Sequence, residues 1–133
     1  MNTFNIVLPM FSHVIWVALL YAGLTMVRAP AVWGIGKTVN GDNPLAALEP
    51  RLSANLKNQF EWPMFFHIAC VLLVVLVPKV SNSVVAIAWV FVFGRVLHSV
   101  VQIWIGSVKW RGVVFTINFL AVLAMWTVLL MSL

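Results

Sequence analysis

Val84-Val85-Ala86-Ile87-Ala88-Trp89-Val90-Phe91-Val92-Phe93-Gly94-Arg95-Val96-Leu97-His98-Ser99-Val100-Val101-Gln102-Ile103-Trp104-Ile105 decides the fold. An apolar run of about 20 residues is long enough to cross a bilayer as a helix. This run carries one charge, Arg95, near its middle. Three more runs of similar character flank it, at about 6–27, 60–77 and 113–133. The sequence therefore predicts an all-α integral membrane protein, a bundle of four transmembrane helices forming a single domain over 1–133. Composition agrees. The chain is 63% hydrophobic and 8% charged, with a mean hydropathy of +1.05. Soluble domains are about 45–50% apolar and about 25% charged. A soluble or disordered protein is excluded. The net charge of +5 does not indicate a nucleic-acid partner, because the basic residues are scattered and form no run. Cys70 is the sole cysteine, so no disulfide forms within the chain.

The connections predict an orientation. Arg28, Lys37, Arg51, Lys57, Lys109 and Arg111 fall in or beside loops one and three, whereas loop two holds only Lys79. The positive-inside rule places loops one and three in the cytoplasm and both termini outside it. No basic residue precedes the first span and no cleavage site follows it, so the span is expected to stay in the membrane. The first loop is irregular to Pro44. A helix is expected to start at Glu49-Pro50, since Pro suits the first turn, and to run into the second span with a kink at Pro63.

Ala31-Val32-Trp33-Gly34-Ile35-Gly36-Lys37-Thr38 resembles a loosened phosphate-binding loop. Such a loop needs a strand before it and a helix after it. Here a membrane helix precedes it and Asn40-Gly41-Asp42-Asn43-Pro44 follows, which argues against nucleotide binding.

Polar residues inside membrane spans are costly and face a cavity or a partner. Arg95, His98, Ser99 and Gln102 fall within a helical arc of roughly 100°. Arg51, Asn55, Asn58 and Glu61 fall within about 120° on the second helix. Glu61 is the one carboxylate near a span, and so the natural partner for Arg95 or another cation. With Arg28 closing the first helix and Arg111 opening the fourth, Arg28, Arg51, Asn58, Glu61, Gln102 and Arg111 are expected to gather in the cytoplasmic third of the bundle. Plainer roles compete: Arg28, Lys109 and Arg111 as interfacial anchors, Arg51 on a solvated face, His67 and His98 as core histidines, Cys70 as filler, and Arg95 with Glu61 as a structural pair. The histidines lack a third ligand for a metal site. Several Arg with one Glu and side-chain amides suit a small anionic ligand that also carries an ammonium, such as an amino acid or a short acidic peptide.

The run Arg51-Leu52-Ser53-Ala54-Asn55-Leu56-Lys57-Asn58-Gln59-Phe60-Glu61-Trp62-Pro63-Met64-Phe65-Phe66 resembles the second-helix signature of the MAPEG family, membrane-associated proteins of eicosanoid and glutathione metabolism. Phe93-Gly94-Arg95-Val96-Leu97-His98-Ser99 resembles the family's third-helix stretch. The resemblance implies a homotrimer in contact with membrane lipids, binding glutathione at subunit interfaces near the cytoplasmic side. Asn58 and Glu61 match glutathione-contacting positions, Arg95 and His98 match polar positions of the third helix, and Arg111 matches an Arg beside the glutathione sulfur. Arg28 resembles a basic residue that ends the first helix. Ala54 stands where members carry an Arg, Gln102 and Trp62 stand where they carry Tyr, and Gly112 stands where some carry Ser. These departures place the chain among divergent members, expected in a bacterial inner membrane, with eicosanoid chemistry disfavoured.

The implied activity is a glutathione-dependent transferase or peroxidase acting on lipophilic electrophiles or lipid hydroperoxides. A free thiol has a pKa of about 8.5, so a fixed cation such as Arg111 would favour the reactive thiolate. The alternative is a non-catalytic subunit or scaffold with the same fold. A small transporter is a third reading, weakened because no carboxylate lies deep in a span.

Overall fold

In the computed structural model, which describes residues 4–133, five helices supply four membrane-crossing segments, with a long connection over 34–48 and shorter ones elsewhere. The N-terminal tail expected outside the cytoplasm begins with residues 1–3, which lie outside the described residues. Helix α1 is Phe4–Trp33, α2 is Glu49–Asn58, α3 is Pro63–Leu76, α4 is Asn82–Val100 and α5 is Val108–Met131. A single wide π turn, Val101–Ile105, extends α4.

The boundaries follow from the backbone chemistry of a few residues. Helix α1 runs past Arg28 and stops at Gly34, which takes a left-handed φ of 72° and donates its N–H to the Pro30 carbonyl at 3.1 Å. Glycine is suited to that cap because it has no Cβ to clash. The Gly-Lys-Thr stretch thus lies in the loop that follows a helix and does not open one. Ser81 and Ser107 cap α4 and α5, accepting bonds from the Val84 and Trp110 amides.

The second segment departs from expectation. Helix continuity from Arg51 into the span is not kept, because α2 ends at Asn58 and Pro63 begins α3. Pro63 has no N–H to give to the Gln59 carbonyl, and its ring crowds that carbonyl, so the chain breaks where a kink was expected. Tighter bonds replace the regular ladder, from Gln59 N–H to Leu56 O and from Phe60 N–H to Lys57 O. Glu61 therefore sits on a turn between two helices, not on a continuous helical stripe.

Two apolar cores form. Ile6, Phe66, Leu73, Phe91, Val122 and Met125 fill the end of the bundle away from loop one, with the Phe66 and Phe91 rings stacked at 4.1 Å between centroids. Leu20, Leu24, Leu52, Leu56 and Ile103 fill the other end. Between them lies a buried polar layer: His13, Asn55, Gln59, Arg95 and Ser99. Closest packing is between α4 and α5, where Gly94 faces the fully buried Asn118 amide. A methyl group at position 94 would overlap the Asn118 side-chain oxygen. Overpacking of this kind costs about 1–3 kcal/mol. Gly94→Ala is expected to destabilise the protein by that amount in a detergent unfolding titration, and the pair Gly94→Ala with Asn118→Ala to recover most of the loss.

Candidate functional site

The break before Pro63 sets up the site. A regular helix would have used the Asn58 carbonyl for the Trp62 amide, whereas here it accepts Arg95 Nη2 at 3.1 Å. Arg95 Nε donates to Gln59 Oε1 at 3.1 Å. Arg95 is 1% exposed, and it is seated by two neutral oxygens. The expected pairing with Glu61 is not formed: Glu61 lies on the exposed turn, and Arg95 donates instead to the Asn58 carbonyl, which the end of α2 leaves open. The one ion pair among the described residues is Arg28 with Glu49, at 2.6 Å.

A guanidinium only donates hydrogen bonds, so Arg95 fixes the orientation of the amides around it. Gln59 must present Oε1 to Arg95. Its Nε2 then donates to Asn55 Oδ1 at 3.2 Å and to Ser99 Oγ at 3.3 Å. Asn55 in turn must present Nδ2, which donates to Gln102 Oε1 at 2.9 Å. Asn58 Nδ2 reaches the same oxygen at 3.2 Å. The Gln102 oxygen is saturated, and its Nε2 has no protein partner among the described residues. Gln102 itself is brought inward by the π turn, over which the consecutive residues Val101, Gln102 and Ile103 are all buried. Such turns are frequent at functional sites.

A cavity of about 540 Å³ opens beside this network, bounded by Asn58, Glu61, Arg95, His98, Gln102 and Arg111. Its volume is within the range of small-molecule sites. Val108, Arg111, Gly112 and Phe115 bound it from one face of α5. The Glu61 carboxylate and the Arg111 guanidinium make no side-chain hydrogen bond or ion pair among the described residues. His98 Nδ1 and Trp62 Nε1 are buried without a partner. Buried polar atoms are normally bonded, so unpartnered ones on a cavity wall leave hydrogen-bonding capacity for a ligand or water.

The remaining candidates lie elsewhere. Arg51 borders an adjoining cavity of about 300 Å³ that shares Ala54, Gln102 and Arg111 with the first. Its Nη1 donates to the Ile103 carbonyl at 3.1 Å, a cation at a helix C-terminus, where the dipole favours it. Arg28 is outside both cavities, on an exposed ion pair that ties α1 to the start of α2. Exposed pairs contribute about 0–1 kcal/mol. Sequence reasoning missed Gln59 and His13. Gln59 follows directly on the Arg51–Asn58 stripe, and its proximity to Pro63 was the available signal. His13 was masked by the apolar run around it.

A four-helix membrane bundle with a polar cavity at one end and a buried Arg at its base defines the class of protein. The profile of the MAPEG family matches residues 6–131, and the chain belongs to that family. The family includes glutathione-dependent transferases and peroxidases as well as non-catalytic members. No curated protein and no solved structure matches the chain.

Gln59 is the joint of the network. Gln59→Met keeps the length of the side chain and removes the oxygen that both Arg95 Nε and His13 Nε2, each 3.1 Å away, approach. A bond to a charged group contributes about 1.5–3 kcal/mol. The variant is expected to lose at least that much stability in a detergent unfolding titration, more than Arg28→Ala, which breaks only a surface pair.

Proposed function

We propose that the cavity binds glutathione, and that the protein uses the bound thiol in a transferase or peroxidase reaction on lipophilic molecules. The observation that carries the reading is a cavity whose base is satisfied while its walls are not. Arg95 is already seated by Gln59 and Asn58, which leaves Glu61, Arg111 and Gln102 Nε2 to a ligand. A carboxylate, a guanidinium and an amide donor complement the ammonium, carboxylates and peptide groups of glutathione. In this reading Glu61 takes the ammonium, Gln102 Nε2 takes a carbonyl, and Arg111 lies by the sulfur. Loops one and three face the cytoplasm, where the thiol is available.

The fixed positive charge of Arg111 favours the thiolate, and a two-unit fall in thiol pKa corresponds to about 2.7 kcal/mol. The thiolate then forms a carbon–sulfur bond with an electrophilic carbon as the leaving group departs with its electron pair. With a hydroperoxide it instead takes the terminal oxygen and releases an alcohol, and a second glutathione converts the resulting sulfenic acid to disulfide and water.

Glutathione titration into the solubilised protein tests the reading. Arg111→Ala is expected to lower turnover with a model electrophile while leaving affinity largely intact, the pattern of an interaction used mainly in the transition state. Glu61→Gln is expected to weaken binding, since losing one partner of a desolvated charge pair costs about 2–5 kcal/mol. Lys109→Ala, outside the cavity lining, is expected to be nearly silent. Equal losses in Arg111→Ala and Lys109→Ala would point to general surface charge.

A second reading, a non-catalytic scaffold, is favoured by Ala54, which leaves the junction of the two cavities without a cation on α2. Absence of glutathione binding selects it. Both readings include a homotrimer. Helix α1 lines neither cavity, so each cavity lacks a wall that a neighbouring subunit would supply. Native mass spectrometry is expected to find three chains per particle, and only monomer or dimer would contradict the assembly.

A further inference from the structure

Of the three histidines, only His98 stands at the cavity that Glu61 and Arg111 line. His13 and His67 are bonded to each other at 2.9 Å. His98 is 3% exposed, follows Arg95 by one turn of α4, and shares the cavity wall with Arg111 of α5. The Phe115 ring lies 6.5 Å from its own. His98 Nδ1 is buried without a partner, and Nε2 makes no hydrogen bond among the described residues. Buried polar atoms are normally bonded, so a ring held by packing with both nitrogens uncommitted is unusual.

Four ionisable side chains line the cavity: Glu61, Arg95, His98 and Arg111. The guanidiniums have no proton to give up at neutral pH. Glu61, on the exposed turn, is held by the ammonium of the ligand in the proposed reading. His98 is the remaining group that can take a proton and return it. Burial with no carboxylate bonded to it disfavours a standing charge, so the ring is neutral at rest. The two guanidiniums in the same lining repel an imidazolium formed there, which therefore passes its proton on readily.

Only one branch of the proposed reaction needs such a group. A halide departs with its electron pair and needs no proton. Cleavage of a hydroperoxide leaves an alkoxide, a strong base that Arg111 can stabilise but cannot protonate.

We propose that His98 is the proton carrier of the peroxidase branch, which makes alkyl hydroperoxides the preferred second substrate. The inference rests on the glutathione reading of the cavity. His98 Nε2 takes the thiol proton as the thiolate forms beside Arg111. The sulfur attacks the terminal oxygen, a sulfur–oxygen bond forms, and the oxygen–oxygen bond breaks with its electron pair on the inner oxygen. That oxygen takes the proton back from His98 and leaves as the alcohol. The sulfur is oxidised to sulfenic acid, the peroxide is reduced, and the ring ends neutral. Every group named belongs to one chain, so the step does not depend on what closes the cavity.

The test uses the solubilised protein with glutathione and three electrophiles: dodecyl hydroperoxide, perdodecanoic acid and 1-chloro-2,4-dinitrobenzene. The peracid undergoes the same attack on oxygen but releases a carboxylate, and the aryl chloride releases chloride. Neither leaving group needs a proton. In the wild type, the rate enhancement over free glutathione is expected to be about a hundredfold larger for the hydroperoxide than for the other two, the lower end of general acid–base catalysis. His98→Gln hydrogen-bonds but carries no proton. It is expected to lose most of that factor, to change little with the peracid and the aryl chloride, and to bind glutathione as the wild type does. Added imidazole is expected to restore part of the hydroperoxide rate in His98→Ala and to leave the other two rates unchanged. Equal enhancement of all three by the wild type overturns the proposal. So does a His98→Gln variant that slows all three alike, the mark of a structural role. Because the first comparison is made on the wild type, the test stands even if a variant fails to fold. A wild type that binds no glutathione overturns the reading of the site as well. One that binds it and conjugates the aryl chloride, with no added gain on the hydroperoxide, overturns the role of His98 alone.

Discussion

Arg95 is a permanent cation held almost wholly out of water inside a membrane protein, and the arrangement of the bundle's middle follows from how it is satisfied. Isolating such a charge is prohibitively costly unless it is paired or fully hydrogen-bonded. The chain uses two neutral oxygens, a carbonyl from Asn58 and an amide oxygen from Gln59. Because the guanidinium has no acceptor, its partners have no freedom to flip. The orientations of Gln59, Asn55 and Gln102 are fixed in sequence, and His13 Nε2, 3.1 Å from the same Gln59 oxygen, must donate to it. One charge therefore organises both the wall of the polar cavity and the buried amides and histidine behind it.

Proline makes this seating possible. Without Pro63 the Asn58 carbonyl would be committed to the helix ladder, and Arg95 would need another acceptor. The broken segment stays stable because apolar packing brackets it, Leu52 and Leu56 on one side and Phe66 against Phe91 on the other. Burial of such side chains contributes about 1.5–3 kcal/mol each in water. Inside a bilayer that driving force is absent, and close packing and interhelical hydrogen bonds carry more of the stability. Gly94 against Asn118 belongs to the first kind, and the Arg95 network to the second.

The four spans, the Glu49-Pro50 helix start and the polar stripe of α4 were legible in the sequence, because length, hydropathy and a period of about 3.6 residues determine them. Of the residues expected to gather at one end of the bundle, Asn58, Glu61, Gln102 and Arg111 share one cavity with Arg95 and His98, whereas Arg51 borders only the adjoining one and Arg28 neither. The partner of Arg95 was not legible. Charge counting singles out Glu61, but a backbone carbonyl leaves no mark in a sequence, and Asn58's was released only by the geometry at Pro63. Arg28 shows the converse, where an Arg at the expected end of a span meets a loop carboxylate, Glu49, whose approach depends on an irregular connection. His13 was illegible because Ser12-His13, adjacent in an otherwise apolar run, has no helical periodicity to reveal it.

That Arg95 does not use Glu61 bears on what the cavity is for. A closed Arg95–Glu61 pair would leave a lining with neither charge free, and a ligand would have to break the pair before binding. Seating the cation on neutral oxygens separates the two tasks. Arg95 fixes the geometry of the amides, while Glu61 and Arg111 stay on the cavity wall with opposite charges and no competing side-chain partner among the described residues. Under the proposed function, a site prepared in this way would cost little to reorganise for a zwitterionic ligand. The buried network and the open carboxylate are thus two consequences of the same helix break at Pro63.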